Sequence, residues 1–282
     1  METLKTIKNR IKTIDNIIKA TSSMKMVSTV KLAKFNCINK YSKTCAERLF
    51  EMFSIAVMEC IYNEEFLHEH WFNRTNGKKL ILVFSTDQGF CGSFNQLITE
   101  KAFELAKLHE GAYIEVFGKK RNPINQNSCD DISLDRPTSL RDISCASEML
   151  SKLTFEYVLT HNVTDVYIVS GEFQNAIVQK AKVSKILPVN EIQAVKLNQT
   201  EIEGNRLEFI DDIFRMYLSK ILTGLITEHL ISEFSARVMT MDNSVKSAKD
   251  MSGNLKTLYN RIRQDKITQE LTEIVSSMEA VR

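Results

Sequence analysis

Proline and glycine are scarce in this chain of 282 residues, and both are concentrated in its middle. Residues 1–76 contain neither, and residues 205–282 contain two glycines and no proline. Inside a helix, glycine costs about 1 kcal/mol and proline about 3 kcal/mol relative to alanine. The absence of both residue types therefore predicts a long helix at each end of the chain.

Metal motifs, redox motifs and membrane segments are also missing. The six cysteines include no C-x-x-C pair, and the five histidines form no H-E-x-x-H motif. No stretch reaches the roughly 20 uncharged apolar residues of a membrane span. The opening METLKTIKNR lacks the apolar core of a secretory signal, and we expect no mitochondrial leader. We expect reduced cysteines, no metal, no cofactor and no membrane-spanning helix.

Charge is balanced over the whole chain but not along it. With 37 basic and 35 acidic residues the net charge is +2, which argues against nucleic acid as a partner. Residues 1–50, however, carry 11 Lys or Arg against 3 acidic residues. Such a basic helix is most often solvated surface, and otherwise it faces an acidic partner.

Apolar residues at both ends repeat with alternating spacings of three and four, which is typical of a coiled-coil seam. The N-terminal seam, which slips in phase near Met24 and Val27, consists of Leu4, Ile7, Ile11, Ile14 and Ile18. The C-terminal seam consists of Ile231, Phe234, Val238, Met241, Val245, Ala248, Ser252, Leu255, Tyr259 and Ile262, followed after a slip by Ile267, Leu271, Ile274, Met278 and Val281. Both patterns predict helices that pair along their seams.

The two predicted helices differ in length. At 1.5 Å per residue, a helix from about Phe209 to the end of the chain is roughly 110 Å long, and the N-terminal helix is about 80 Å long. Antiparallel pairing is the simplest arrangement, because the intervening domain returns the chain in the opposite direction. Where the longer helix extends past its partner, an apolar stripe is left bare, and a bare stripe indicates a partner surface.

The middle of the chain predicts a small Rossmann-like α/β domain. The predicted strands are residues 79–85, 112–117, 166–170 and 176–186, the predicted helices are residues 94–108 and 145–160, and residues 118–141 form a loop. The fold class is therefore α/β plus coiled coil, with a long antiparallel coiled coil of the N- and C-terminal helices. We expect domains over residues 1–60, 77–190 and 208–282.

The segment STDQGFCGSFN, residues 85–95, lies between a predicted strand and a predicted helix. Glycines at a helix N-terminus can hold a phosphate, but the segment matches neither nucleotide-binding glycine motif, so we expect no direct nucleotide binding. Ser93 and Gln96 have the spacing of a capping box. Cys91 is either a nucleophile or, as the better interpretation, a small buried thiol. We expect no catalytic residue.

Together these segments resemble the gamma subunit of F-type ATP synthases over nearly the whole chain. The resemblance is carried by residues of the first helix, the central turn and the last helix: Met24, Lys25, Met26, Val27, Ser28, Lys31 and Leu32; Asp87, Gly89, Cys91, Gly92 and Asn95; and Ser232, Glu233, Ala236, Arg237, Met239 and Met241. The most similar stretch is LYNRIRQDKITQELTEIVS, residues 258–276.

The resemblance implies a non-catalytic central-stalk rotor. Its partners would be the alpha and beta subunits of the catalytic hexamer, the epsilon subunit and the membrane c-ring, on the cytoplasmic side of a bacterial inner membrane. The implied contacts to beta-subunit loops are Arg263, Gln264, Thr268, Asp87, Gln88, Cys91, Met24 and Lys25, and the implied tip in the bearing is Ile274, Met278 and Val281.

Some positions depart from the family pattern, and two other hypotheses stay open. Gln88 stands where the family usually has arginine, and Ser22, Val245 and Ser247 also differ, which indicates a divergent member. One alternative is a coiled-coil scaffold unrelated to ATP synthase. The other is an α/β enzyme that uses Cys91.

Overall fold

The computed structural model describes residues 3–62, 77–109, 111–118, 139–175, 178–189 and 206–280. Within them the chain forms helices and strands in the following order: α1 (Leu4–Tyr62), β1 (Lys78–Phe84), α2 (Phe94–Leu108), β2 (Tyr113–Phe117), α3 (Leu140–Thr160), β3 (Val163–Phe173), β4 (Gln179–Leu187) and α4 (Arg206–Ala280).

The two terminal helices are as long as the lack of proline and glycine predicts. Helix α1 has 59 residues and α4 has 75. Helix α4 runs without a break through Gly224 and Gly253, since an isolated glycine weakens a helix without ending it. It begins three residues before the predicted Phe209.

The four strands form one mixed sheet in the order β2-β1-β3-β4. Strand β1 is parallel to both β2 and β3, and β3 is antiparallel to β4. Side chains of β1 alternate between two apolar clusters, with Leu80 and Leu82 in one and Ile81 and Val83 in the other. The central strand is thus buried on both faces, as parallel strands usually are.

Helix α2 covers one face of the sheet with residues spaced three or four apart, and α1, α3 and α4 contribute to the core on the other face. The buried residues of α2 are Phe94, Ile98, Ala102 and Leu105. The predicted Rossmann-like α/β domain is therefore confirmed.

Several predicted boundaries were wrong. Helix α3 begins at Leu140 rather than at 145, so the predicted loop over residues 118–141 ends earlier, and residues 119–138 of it lie outside the described residues. Strand β3 extends beyond the predicted 166–170 at both ends. Strand β4 begins at Gln179, and positions 176 and 177 of the predicted strand are not described.

The predicted capping box at Ser93 and Gln96 was also wrong. Ser93 precedes α2, but its side chain accepts no capping hydrogen bond. A capping box stands instead at the start of α3, where Ser139 and Asp142 bond each other's backbone N–H groups.

Strand β4 lies at the edge of the sheet and carries exposed lysines. Lys182 pairs with Glu172 at 3.0 Å and Lys185 pairs with Asp165 at 2.8 Å, both across to β3. Each hydrogen bond raises the pKa of its lysine above the ordinary value. The edge strand therefore keeps its positive charge.

The chain divides into two compact units, residues 1–28 with 238–282 and residues 29–237. In the larger unit α1 and α4 are antiparallel: the ring of Phe35 stacks on Phe234 at 5.6 Å, whereas Phe53, further along α1, packs on Phe214 at 5.2 Å. Burial among these rings raises the pKa of Tyr217 to about 12.

The smaller unit is an antiparallel coiled coil in its own right. Ser252 donates a hydrogen bond to Asp15 at 3.1 Å, and Lys25 pairs with Asp242, so rising numbers on α1 meet falling numbers on α4. Ile7 and Ile14 of the predicted seam are buried, whereas Ile17, beside the seam, is half exposed. The predicted antiparallel coiled coil is confirmed. None of the helices in the described ranges is apolar over a length that could span a membrane.

Candidate functional site

The central turn, residues 85–95, joins β1 to α2 and is closed by its own side chains. The hydroxyl of Thr86, a fully buried residue, donates to the backbone oxygen of Gln88 at 2.9 Å and accepts from Asn95 Nδ2 at 2.7 Å. Asn95 Nδ2 also lies 3.5 Å from Cys91 Sγ. These bonds give the turn a defined shape without any ligand.

Arg237 of α4 holds this turn through hydrogen bonds to its backbone. Its Nε donates to the backbone oxygen of Gly89 at 3.3 Å and its Nη2 to that of Gln88 at 3.2 Å. Nη2 also pairs with Glu233 Oε1 at 2.6 Å, and the two side chains are only 4% and 2% exposed. Since a buried charge is stable only when it is paired and hydrogen-bonded, the turn carbonyls and Glu233 together hold the guanidinium in place.

The predicted contact residues of the turn differ in exposure. Gln88 is exposed, Asp87 is half-buried, and Cys91 is 3% exposed and packs with the cluster between the sheet and α2. The interpretation of Cys91 as a buried small thiol is confirmed. Its side chain faces the core of its own chain, and the residue offers almost no surface to another protein.

Two residues of this site have structural features that the sequence pattern did not reveal. Arg237 was named for the resemblance alone, and its bonds join positions 148 and 149 residues apart. Phe90 was not singled out, yet it is 64% exposed and has a φ of 63°. The sequence did contain a signal for Phe90, namely an aromatic residue between Gly89 and Gly92 in a predicted turn.

Lys25 lies in the coiled coil of the smaller unit and faces α4. Its Nζ is 2.5 Å from Asp242 Oδ1, and Lys246 Nζ is 2.9 Å from Asp242 Oδ2. These hydrogen bonds, first that from Lys25 and then that from Lys246, lower the pKa of Asp242 to about 2. Met24, next to Lys25, is 41% exposed. Lys25 thus links the two helices, and Met24 remains accessible.

The Lys25–Asp242 pair predicts an acid-sensitive coiled coil. Because the pKa of Asp242 falls from 3.8 to about 2, its stabilising contribution is complete above about pH 4 and is lost as the pH falls toward 2. We expect Lys25→Gln to lower the Tm by about 2 °C at pH 6 and by less at pH 2.5. Circular dichroism melting curves at both pH values measure the difference.

The control for this experiment is Lys266→Gln. Lys266 lies on α4, the helix that carries Asp242, and faces Glu270 at 3.7 Å, with both side chains largely exposed. An equal effect of Lys25→Gln at both pH values would contradict the prediction.

The C-terminal part of α4 is exposed on every side. From Arg263 to Met278 each residue is exposed, including Arg263, Gln264 and Thr268, which lie within two turns of one another. The Thr268 hydroxyl donates to the backbone oxygen of Gln264 at 3.0 Å. These polar groups are therefore open to a neighbouring protein, and nothing in the described part of the smaller unit covers them.

The same segment carries a bare apolar stripe, which we call the C-terminal stripe. Its residues are Ile267, Leu271, Ile274 and Met278, which are 48%, 58%, 55% and 64% exposed. The expected bare stripe is therefore present. Val281, the last predicted tip residue, lies outside the described residues.

Comparison with known proteins gives full-length matches. A family model described as ATP synthase matches residues 3–281. The ATP synthase gamma chain of Campylobacter concisus (strain 13826) is 30% identical over 100% of both chains, and that of Clostridium novyi (strain NT) is 30% identical over 97% of this chain and 96% of its own. The gamma chain of Campylobacter jejuni subsp. doylei is 28% identical over 100% of both.

One solved structure supports the fold. It is a cryo-EM structure of the Tetrahymena thermophila mitochondrial ATP synthase central stalk and c-ring, matched with a TM-score of 0.56 and 17% identity over 79% of this chain and 98% of the other. The matches over the whole sequence and the shared architecture agree with the resemblance described above. The chain belongs to the gamma chain family of ATP synthase, the non-catalytic central-stalk subunit of that complex.

Proposed function

We propose that this chain is the rotor that couples proton-driven rotation of a membrane ring to ATP synthesis on the alpha and beta subunits. In this role the chain carries no reacting group. It transmits torque by pressing different faces against successive neighbours, so each contact must be weak enough to release.

The C-terminal stripe is the observation that carries the proposal. Its four apolar side chains are each about half exposed or more and follow one another at spacings of four, three and four. A soluble protein seldom leaves such a row in water unless another surface covers it. A sleeve of surrounding subunits supplies that surface, and burying the stripe contributes a few kcal/mol at about 25 cal/mol per Å².

The proposed partners are the alpha and beta subunits around the coiled coil, and the epsilon subunit and c-ring at the α/β domain. The proposed segments are residues 1–60 and 208–282 for the coiled coil and 77–190 for the α/β domain. As a gamma chain the protein belongs to the membrane-associated ATP synthase as a peripheral subunit. Its proposed site is the cytoplasmic face of a bacterial inner membrane.

The proposed contacts to beta-subunit loops fall into three groups, with the tip as a fourth. The three groups are Arg263, Gln264 and Thr268 on α4; Asp87, Gln88 and Cys91 in the central turn; and Met24 and Lys25 on α1. The tip, which we propose lies inside a sleeve of surrounding subunits, consists of Ile274, Met278 and Val281. Their exposure on the described residues supports Arg263, Gln264, Thr268 and Gln88 most directly.

Co-expression with the alpha and beta subunits from the same source tests the assembly. We expect a stable complex on size exclusion whose ATP hydrolysis exceeds that of the alpha and beta subunits alone. Absence of a complex, together with unchanged hydrolysis, would refute the rotor role.

Arg263→Ala tests the polar contacts. Arg263 is an exposed cation among the proposed contacts on α4, and loss of one charge-assisted hydrogen bond should lower proton-driven ATP synthesis several-fold. Synthesis in inverted vesicles or proteoliposomes that hold the whole complex is the measurement. Arg261→Ala is the matched control, since it removes an exposed arginine two residues away, on another side of α4. Wild-type synthesis in Arg263→Ala would remove this residue from the proposed contacts.

The two alternative hypotheses have lost their support. A scaffold unrelated to ATP synthase does not fit a family match over residues 3–281. An enzyme that uses Cys91 requires an accessible thiol, whereas Cys91 is 3% exposed. That hypothesis also predicts turnover by the isolated chain and its loss in Cys91→Ser.

A further inference from the structure

A cavity of about 630 Å³ lies between α1, α4 and the edge strand β4. All its lining residues belong to the larger unit, residues 29–237. They come from positions 42–51 of α1 and 217–228 of α4, and from Ser184 and Ile186 of β4. Small-molecule sites commonly have volumes of about 300–1,000 Å³, so this cavity is large enough for a ligand.

Small residues on the two helices leave the cavity open. Ala46 of α1 and Gly224 of α4 both line it, and a Cβ at Gly224 would meet no atom within 4 Å. Glycine is unfavourable inside a helix, and no close contact requires it here. Protein interiors leave few voids larger than a water molecule, so the space is not ordinary loose packing.

One end of the cavity is aromatic. The rings of Phe50 and Tyr217 lie 5.1 Å apart and are only partly buried against the core. Leu225 and Ile186 add apolar walls. Such a surface favours a flat aromatic ligand, because stacked or tilted rings add to the gain from burying apolar area.

A buried hydroxyl lies at the other end. Ser42 lines the cavity and is 8% exposed. Ser23, Ser28 and Thr44 of α1 each donate to the backbone oxygen four residues earlier, whereas the Ser42 hydroxyl forms no hydrogen bond within the part of the chain that the structure describes. A buried hydroxyl without a partner is costly, and a ligand in the cavity can supply one.

Charges around the cavity favour a cation. Lys43 faces Glu228 at 3.7 Å. Glu47 and Glu51, one turn apart on α1, are exposed and form no ion pair with any residue in the described ranges. Two carboxylates at this spacing repel each other, and a bound cation relieves the repulsion. Lys220 is the remaining cation of the lining, so carboxylates are in excess and disfavour a phosphate or carboxylate ligand.

We infer that this cavity is a binding site for a planar aromatic cation. The ring system lies beside Phe50 and Tyr217 in the space left by Gly224, and its positive charge faces Glu47 and Glu51. The site is separate from the central turn and the C-terminal stripe, and it goes beyond the proposed rotor function. Binding to the isolated chain therefore tests it without any partner subunit.

N-methylacridinium is a suitable probe, and the neutral N-methylacridone, which has the same ring system, is its control. Titration of the isolated full-length chain, followed by fluorescence anisotropy, should give a Kd of about 0.1 mM for the cation and about tenfold weaker binding of the neutral compound. Equal binding of both compounds would overturn the inference. So would the absence of saturable binding of the cation below about 1 mM.

Filling the cavity should remove the site. We expect Gly224→Leu to weaken binding of N-methylacridinium more than about tenfold without lowering the urea midpoint, because leucine occupies open space and is a better helix former. Gly253→Leu is the matched control, since a Cβ at Gly253 also meets no atom within 4 Å and Gly253 lies on α4 outside the cavity. Equal affinities of the two variants would refute the site.

Removing the carboxylates tests the charge without changing the shape of the cavity. The double variant Glu47→Gln, Glu51→Gln should bind the cation about tenfold more weakly and N-methylacridone as before. The control is Glu100→Gln, Glu104→Gln, which removes two exposed carboxylates of the same spacing from α2. An unchanged affinity of the first double variant for N-methylacridinium would overturn the cation class.

Photolabelling locates the bound probe. An azido derivative of N-methylacridinium should label peptides within residues 42–51 and 217–228, both in the isolated chain and in its complex with the alpha, beta and epsilon subunits. Labelling of other peptides in the isolated chain would refute the site. Labelling of these peptides in the isolated chain alone would show that another subunit fills the cavity, and would overturn a small-molecule site in the assembled complex.

Discussion

Arg237→Met is expected to lower the free energy of unfolding by about 3–5 kcal/mol, because it breaks the buried ion pair with Glu233 by removing one of its two members. The methionine keeps much of the apolar stem but cannot donate to the backbone oxygens of Gln88 and Gly89. Natural domains have about 5–15 kcal/mol of stability, so the loss is a large fraction. Urea titration followed by circular dichroism measures it.

Two further measurements identify the cause. Amide hydrogen exchange should accelerate selectively at residues 88–91, since the substitution releases the turn from α4. The double variant Arg237→Met, Glu233→Leu should regain part of the lost stability, because it also removes the buried carboxylate with which Arg237 pairs in the parent chain. A single-variant loss under about 1 kcal/mol would show that the Arg237–Glu233 pair does not anchor the turn.

Gly171→Val is expected to cost about 3 kcal/mol, at the upper end of overpacking effects. Gly171 lies in β3, and a Cβ there would stand 2.4 Å from Cζ and 2.6 Å from Cε2 of Phe94. Phe94 is 2% exposed and is also packed against the ring of His229 at 5.3 Å, so it has little room to move. The amide of Gly171 donates to His229 Nδ1 at 3.2 Å, and a shift of the strand would strain that bond too.

Gly224→Ala provides the control of opposite sign. Gly224 lies inside α4, and a Cβ there would meet no atom within 4 Å. Alanine is favoured over glycine in a helix by about 1 kcal/mol, so this variant should raise the urea midpoint. If Gly171→Val were tolerated as well as Gly224→Ala, the contact between β3 and Phe94 would not limit the packing of the sheet.

Local composition was enough to predict the helices whose extent is set by the positions of glycine and proline. Helix α2 has the predicted bounds because its apolar spacing starts after Gly92 and ends before Gly111. The terminal helices were predictable because no proline and few glycines interrupt them. Helix α3 was predicted five residues too short. Its polar first turn follows a segment with two prolines, so its composition resembles a continuation of the loop.

Capping residues show why spacing alone was insufficient. Ser93 and Ser139 both precede a helix with a polar residue three positions later. Ser139 has φ −132° and ψ 168°, the extended backbone that directs an N-cap side chain back to the helix, whereas Ser93 has φ −80° and ψ 2°. The difference comes from the tight central turn before Ser93, which spacing does not describe.

The candidate site depended even more on contacts between distant parts of the chain. Local pattern placed Asp87, Gln88 and Cys91 together in one turn, but their exposure is decided by the packing of the turn on the sheet, α2 and Arg237. The bare C-terminal stripe was predictable, in contrast, because it follows from helix lengths and heptad spacing alone.

The lysines on β4 affect how this chain behaves before it assembles with other subunits. An edge strand with open backbone groups can pair with the same strand of another copy and start a growing aggregate. Lys180, Lys182 and Lys185 are exposed on that strand, and two of them are held protonated by carboxylates on β3. Charged side chains on an edge strand disfavour such pairing, so we expect β4 to resist edge-to-edge association of newly made chains before their partners bind.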